Sequence, residues 1–392
     1  MSHSHSTDPP ELPAGRVRRV RTLLSALVLP LLVATVVGLV ALWPSGDSPM
    51  GSIPLTGDGT EVVTGTVLAP PASPEAAEFR VEVTGGGHDG YEATVASPHP
   101  SVAEEIDAGD DVLLLYMPQN IGTGTLYSFW DFDREAPVGW LAVLYLAAVL
   151  AVARWRGLAA VLGLLASLGV VAVFMLPALM AGSSPILVAL VGSSAMMFIA
   201  VYLAHGISIR TTTALLGTYV GLAITVVLAV WATGAANLTG SSEDAIMLHQ
   251  QFAGLTLSDL LLCGIVVAGL GALNDVTITQ ASAVWELAAA SPGAPRRRLF
   301  VQGMRIGRDH IASTVYTLAF AYVGTALPLI MLASLVERPV VDTLMAGEIA
   351  EEVVRTLVSS IGLVLAIPVT TGIAALLARS GGDPSAAPRH DT

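Results

Sequence analysis

Long apolar runs recur along the chain, and they limit what it can fold into more than any other feature. They lie at about 22–43, 138–153, 158–181, 185–204, 212–233, 255–273, 310–335 and 356–378. A helix crosses the hydrocarbon of a bilayer in roughly 20 residues, and inside it every backbone amide and carbonyl must find its partner within the segment. Runs of this length therefore predict membrane-spanning helices. The fold class expected is mainly α, a polytopic transmembrane bundle of about eight spans. With 53% of 392 residues hydrophobic and 12% charged, the composition suits a polytopic membrane protein and would be rare in a soluble chain.

The arginines set the expected orientation. Residues 1–21 read as a disordered cytosolic tail whose Arg16, Arg18, Arg19 and Arg21 precede the first run. That run, 22–43, is longer than a signal-peptide core and has no small-residue cleavage site before Pro44, so it is expected to stay as a signal anchor. Arg154, Arg156, Arg210, Arg296, Arg297, Arg298, Arg305, Arg308, Arg379 and Arg389 all fall on the side of the N-terminus if there are eight spans, as the positive-inside rule requires. Both termini, with a tail at 379–392, are then cytosolic. His3 and His5 in the first tail are too weak a pair to define a metal site.

Residues 44–137 are then extracellular, and they carry sixteen of the 31 acids with only Arg80 and Arg134 as bases. Short β-type runs at 61–68, 79–83, 91–95, 112–117 and 125–132 are separated by Gly, Pro and Asp. Five such strands predict a small, partly closed barrel, OB-like in kind. Its acidity excludes nucleic acid as a partner. It reads either as a spacer or as a domain that binds a protein partner. Asp107, Asp110 and Asp111 lack the ligand spacing of a calcium loop.

Several chemistries are excluded outright. The chain has no lysine, so a phosphate loop of the Walker type, a Schiff base and a Ser/Lys dyad are impossible. Cys263, the single cysteine, lies in an apolar run and reads as a small buried hydrophobe. Neither HExxH nor the GxGD pattern of intramembrane aspartyl proteases occurs. No catalytic group, cofactor or metal is expected, and the partners are the lipid bilayer and a small solute or ion.

Leu260 to Leu287 is the stretch where function is expected, because an apolar run passes without a break into two carboxylates. On one helix, Gly264, Ala268, Gly271, Asp275, Thr279, Ser282 and Glu286 share a face. Small residues admit a neighbouring helix, and carboxylates in hydrocarbon need partners, so this face is expected to look inward. Alternatively the helix leaves the membrane near Leu273, and Asp275 and Glu286 are ordinary cytosolic charges. Gly307-Arg308-Asp309-His310 is expected where a cytosolic loop turns into the seventh span. There Asp309 either caps the helix, or Arg308 pairs with Asp275 or Glu286. Residues 336–355 read as an amphipathic surface helix, and Pro30, Pro177, Pro328 and Pro368 as kinks within spans.

Five motifs, Arg154-Trp155-Arg156-Gly157, Gly271 to Asp275, Thr279 to Leu287, Gly307 to His310, and Arg355-Thr356-Leu357 leading into Ile361-Gly362, together resemble the YibE/F-like family. The resemblance extends from about Glu61 to Arg379. The sequence departs from the family pattern at Asn274 and Tyr316, so no role is carried to either. The resemblance implies a multi-pass protein of the bacterial cytoplasmic membrane and no particular substrate. Many spans, small-residue stripes, prolines and buried polar groups suit secondary transport of a small solute or ion centred on Asp275. The competing expectation is a scaffold or assembly factor acting through its extracellular domain.

Overall fold

The computed structural model describes residues 14–44, 50–52, 59–87, 89–121, 125–252 and 254–378. Helix α1 (Ala14–Ala41) carries Pro30 inside it. It begins upstream of the apolar run, so the end of the expected tail is helical, while 1–13 and 379–392 lie outside the described residues.

Residues Met50–Arg154 form one compact unit. Its strands β1 (Glu61–Ala69), β2 (Glu78–Val83), β3 (Tyr91–Ala96), β4 (Asp111–Tyr116) and β5 (Tyr127–Phe132) close into a barrel in the order β1-β2-β3-β5-β4. A single turn of helix, α2 (Pro100–Ala103), leads from β3 towards β4. All ladders are antiparallel except β3 with β5. The small barrel expected from the sequence is thus present, with full closure. Alternation builds its core: Phe79, Val81 and Val83 point inward while Arg80 and Glu82 point out, and Val63, Val95, Val112 and Leu114 complete the interior. Gly65 on β1 has no room for a side chain, because a Cβ there would stand 2.6 Å from Val81 Cγ1.

Helix α3 (Glu135–Val170) is interrupted at Arg154 (φ 54°, ψ −136°), between the runs 138–153 and 158–181, and the chain divides into its two units there. After Arg154 the chain continues through a π-helical turn at Val171–Met175 into α4 (Leu176–Met180). The second unit, which also contains α1, adds α5 (Pro185–His205), α6 (Ile209–Ala235), α7 (Glu243–Gln251), α8 (Leu257–Ala268), α9 (Leu270–Ala290), α10 (Arg296–Thr325), α11 (Leu327–Ser334), α12 (Val340–Leu344) and α13 (Gly347–Leu377). By length and apolarity six helical stretches can cross a membrane, Glu135–Met180 and Leu257–Ala290 each counting once. A seventh is the pair α10 and α11, bent by 65° just before Pro328.

The centre of the bundle is α13, which packs on α6, α9 and α10. Glycine makes the close approach possible: a Cβ at Gly221 of α6 would stand 2.5 Å from Leu273 of α9 and 2.9 Å from Ala366 of α13. Several threonine hydroxyls buried in these helices are satisfied locally. Thr213, Thr218, Thr225, Thr370 and Thr371 each donate to the carbonyl four residues earlier.

Candidate functional site

Three features foreseen in the sequence are placed differently. The amphipathic surface helix expected at 336–355 is only the short α12, and Glu348, Glu351, Glu352 and Arg355 belong to the first turns of α13. Gly307-Arg308-Asp309-His310 lies inside α10, whose N-cap is Pro295, so Asp309 caps nothing and both Arg308 and Asp309 are exposed. The third concerns the small-residue stripe. Gly264 and Ala268 are half-buried, but after the break at Gly269 the face bearing Gly271, Asp275, Thr279 and Glu286 is exposed, with Ser282 half-buried. The opposite face of α9 is the buried one, and it carries Val276, Thr277, Gln280, Ala281, Val284 and Ala288. The spacing assigned the residues to common faces correctly. Bulk decided between the faces: the second has the larger apolar side chains to bury.

Asp275 and Glu286 have partners other than Arg308. The Asp275 carboxylate lies 4.0 Å from His310 Nε2 of α10, and that of Glu286 lies 4.0 Å from Arg210 at the start of α6. The Asp275 side chain is 70% exposed, so the pair sits on the flank of the bundle and not at its centre. Eleven residues separate the two acids, about 16 Å along the helix.

At the bundle's centre lies a polar layer that the sequence did not single out. Gln280, 2% exposed, donates through Nε2 to the Gly303 carbonyl at 2.9 Å and to Thr371 Oγ1 at 2.6 Å, tying α9 to α10 and α13. Thr218 and Thr277 share a 2.6 Å hydrogen bond between α6 and α9. The sequence signal was there in two G-x-x-x-G spacings, Gly217/Gly221 on α6 and Gly303/Gly307 on α10. All four approach α9 or α13 closely.

A charged group occupies the first turns of α13. Glu351, 9% exposed, accepts a hydrogen bond from Gly240 N at 2.9 Å. Glu352 and Arg355 pair at 2.8 Å with only 26% of each side chain exposed. The Arg355 guanidinium reaches towards Gly264 of α8, where a Cβ would lie 3.8 Å from it, and its Nε is buried without a hydrogen-bond partner. One turn further, Ser359 lies against Gly269 at the α8/α9 break and faces the Tyr322 hydroxyl of α10. Glu352 and Tyr322 also line a cleft of about 200 Å³ between α10 and α13. Beside Gly240, a wider cavity of about 670 Å³ is lined by Thr233, Asn237, Thr239, His249, Thr256 and Ser258. Three charges held half-buried or deeper among apolar helices, with glycines opposite and cavities alongside, make a setting in which an ion or polar solute can be desolvated in steps.

Among the described residues no three His, Cys, Asp or Glu side chains are grouped to hold a metal ion. The YibE/F-like protein family model matches residues 141–380, which takes in α9, α10, α13 and every charged group just described. The chain belongs to the YibE/F-like family. The match starts after the barrel, so the family likeness rests on the helices and not on the β-domain included in the resemblance above. No curated protein and no solved structure matches this YibE/F-like chain significantly.

Proposed function

We propose that this YibE/F-like membrane protein is a secondary transporter or exchanger of a small solute or ion. The observation that supports it is the Glu351, Glu352 and Arg355 group, because charge inside a membrane bundle is costly and is kept where it serves a pathway. In this reading the solute enters from the cavity beside Gly240, passes the α13 charges and meets the closed layer of Gln280, Thr371, Thr218 and Thr277. Asp275 and His310, on the flank of α9 and α10 beside this layer, are the exchanging pair. Eight spans follow if the six long helices are joined by the bent pair and if α3 counts twice across Arg154. Both termini then face the cytosol of a bacterium, with the barrel outside the cytoplasmic membrane.

The test is complementation of a strain lacking the gene, with membrane levels checked by immunoblot. Asp275→Asn and Arg355→Gln should each abolish rescue at parental abundance, and Glu286→Gln should do less. Rescue by both of the first two would sink the transport reading. The scaffold reading would then be preferred. It draws on the barrel's being a compact unit with its own core, and it requires deletion of 59–132 to abolish rescue.

A further inference from the structure

Helix α1 is held by a narrow stripe: Leu24, Val28 and Thr35 are its buried residues among those described, and Thr35 hydrogen-bonds Ser194 of α5. Leu24 packs in one apolar cluster with Ile209 of α6, and beside it α1, α5 and the start of α6 enclose a groove of about 530 Å³. Leu24, Val28, Leu29 and Leu32 form one wall, and Phe198 and Tyr202 of α5 the other. At the mouth are Arg21, Ser25 and Ser208, and Arg21 is the one charged residue lining the groove among the described residues. Ser208 caps α6, its Oγ accepting from Thr211 N at 3.1 Å, and the remaining first-turn amides of α6 present positive potential at the same end. Arg210 next to them is engaged with Glu286.

We propose that this groove is a binding site for an anionic phospholipid, with the phosphate at Arg21 and the Ser25 and Ser208 hydroxyls and one acyl chain along the leucine wall. The polarity of the groove selects this occupant. An apolar trough of about 530 Å³ is filled best by hydrocarbon, and a lone guanidinium at its mouth needs an anion. A phospholipid supplies both in one molecule, and free phosphate supplies only the second. The bound lipid would also add to the packing of α1, which already meets the bundle through Leu24, Val28, Leu31, Thr35, Gly38 and Leu39. This inference is independent of the transport reading.

Native mass spectrometry of the full chain released from nanodiscs of mixed phosphatidylglycerol and phosphatidylcholine tests it. The parent should retain one phosphatidylglycerol in preference to phosphatidylcholine. Arg21→Ala should lower that retention about fivefold, the weight of one arginine near an anionic surface. Leu29→Trp, which fills the trough and keeps the charge, should lower it too, whereas Arg19→Ala, outside the groove, should not. Equal retention of the two lipids, or equal effects of Arg19→Ala and Arg21→Ala, would overturn the proposal. So would a Leu29→Trp chain that binds as the parent does, or inorganic phosphate that displaces the lipid at millimolar concentration.

Discussion

Alanine substitution at two glycines on successive helices separates packing from propensity. At Gly307 of α10 a Cβ would stand 2.6 Å from Ile367 Cγ2 and 3.1 Å from Gln280 Oε1. Carbon atoms prefer separations of about 3.5–4.0 Å, so the methyl group intrudes by about 1 Å and α10 must shift or Ile367 must leave its rotamer. Overpacking of this kind costs about 1–3 kcal/mol. At Gly271 of α9 nothing lies within 4 Å of the same methyl group. Both positions are helical, so both gain about 1 kcal/mol of helix propensity from the change. The propensity terms cancel in the comparison, and Gly307→Ala should be less stable than Gly271→Ala by about 1–3 kcal/mol. Unfolding in mixed micelles, followed by the fluorescence of the buried Trp285, measures it. Equal stability of the two variants would refute the close packing of α10 on α13, and a less stable Gly271→Ala would mean that the exposed face of α9 is covered by something.

Reporter fusions should place a fusion at Thr392 in the cytosol and one between β2 and β3 outside; a cytosolic signal from the latter rejects the orientation drawn from the arginines. Glu351→Leu should lower thermal stability by about 1–3 kcal/mol because it leaves Gly240 N without an acceptor, whereas Glu351→Gln keeps a carbonyl there and should cost less. The Arg134 guanidinium, 2.8 Å from Asp131 at the end of the barrel, holds the Asp131 carboxyl below its ordinary range. Its folded-state pKa is therefore the lower one, so the contribution is complete above the usual carboxylate pKa and is lost as pH falls through the depressed value. Asp131→Asn should flatten the acid side of the barrel's stability profile below about pH 4, and an unchanged profile would show that the pair does nothing for the fold.

Most of the architecture was legible because bilayer thickness and strand alternation write simple periods into sequence. The five β-runs appear as β1 to β5 with ends shifted by a residue or two, and the break expected between 153 and 158 falls at Arg154. Reading the site from sequence was harder for two reasons. A helix spacing groups side chains by face but does not say which face is covered, and on α9 the covered face proved to be that of Val276, Gln280 and Val284. Charges near a helix start also look like loop residues in sequence, so Glu351, Glu352 and Arg355 read as surface until α13 was seen to begin at Gly347. The functional weight of Arg308 and Asp309 was likewise inferred from a loop-to-helix junction, and α10 runs unbroken through it.

The closed ring of the β-domain restricts how any partner can recognise it. An open sheet offers a row of free amides and carbonyls to which an extended peptide can add as a further strand. Here every strand has two neighbours, so that mode is closed unless the ring is first opened. The place to open it is the parallel seam of β3 and β5, held by the register pairs Val95 with Tyr127 and Ala96 with Ser128, whereas β1 and β4 are paired from Glu61–Tyr116 to Thr66–Asp111. A partner that leaves the ring intact must read the outward side chains and connecting turns, and its specificity will follow their predominantly acidic chemistry.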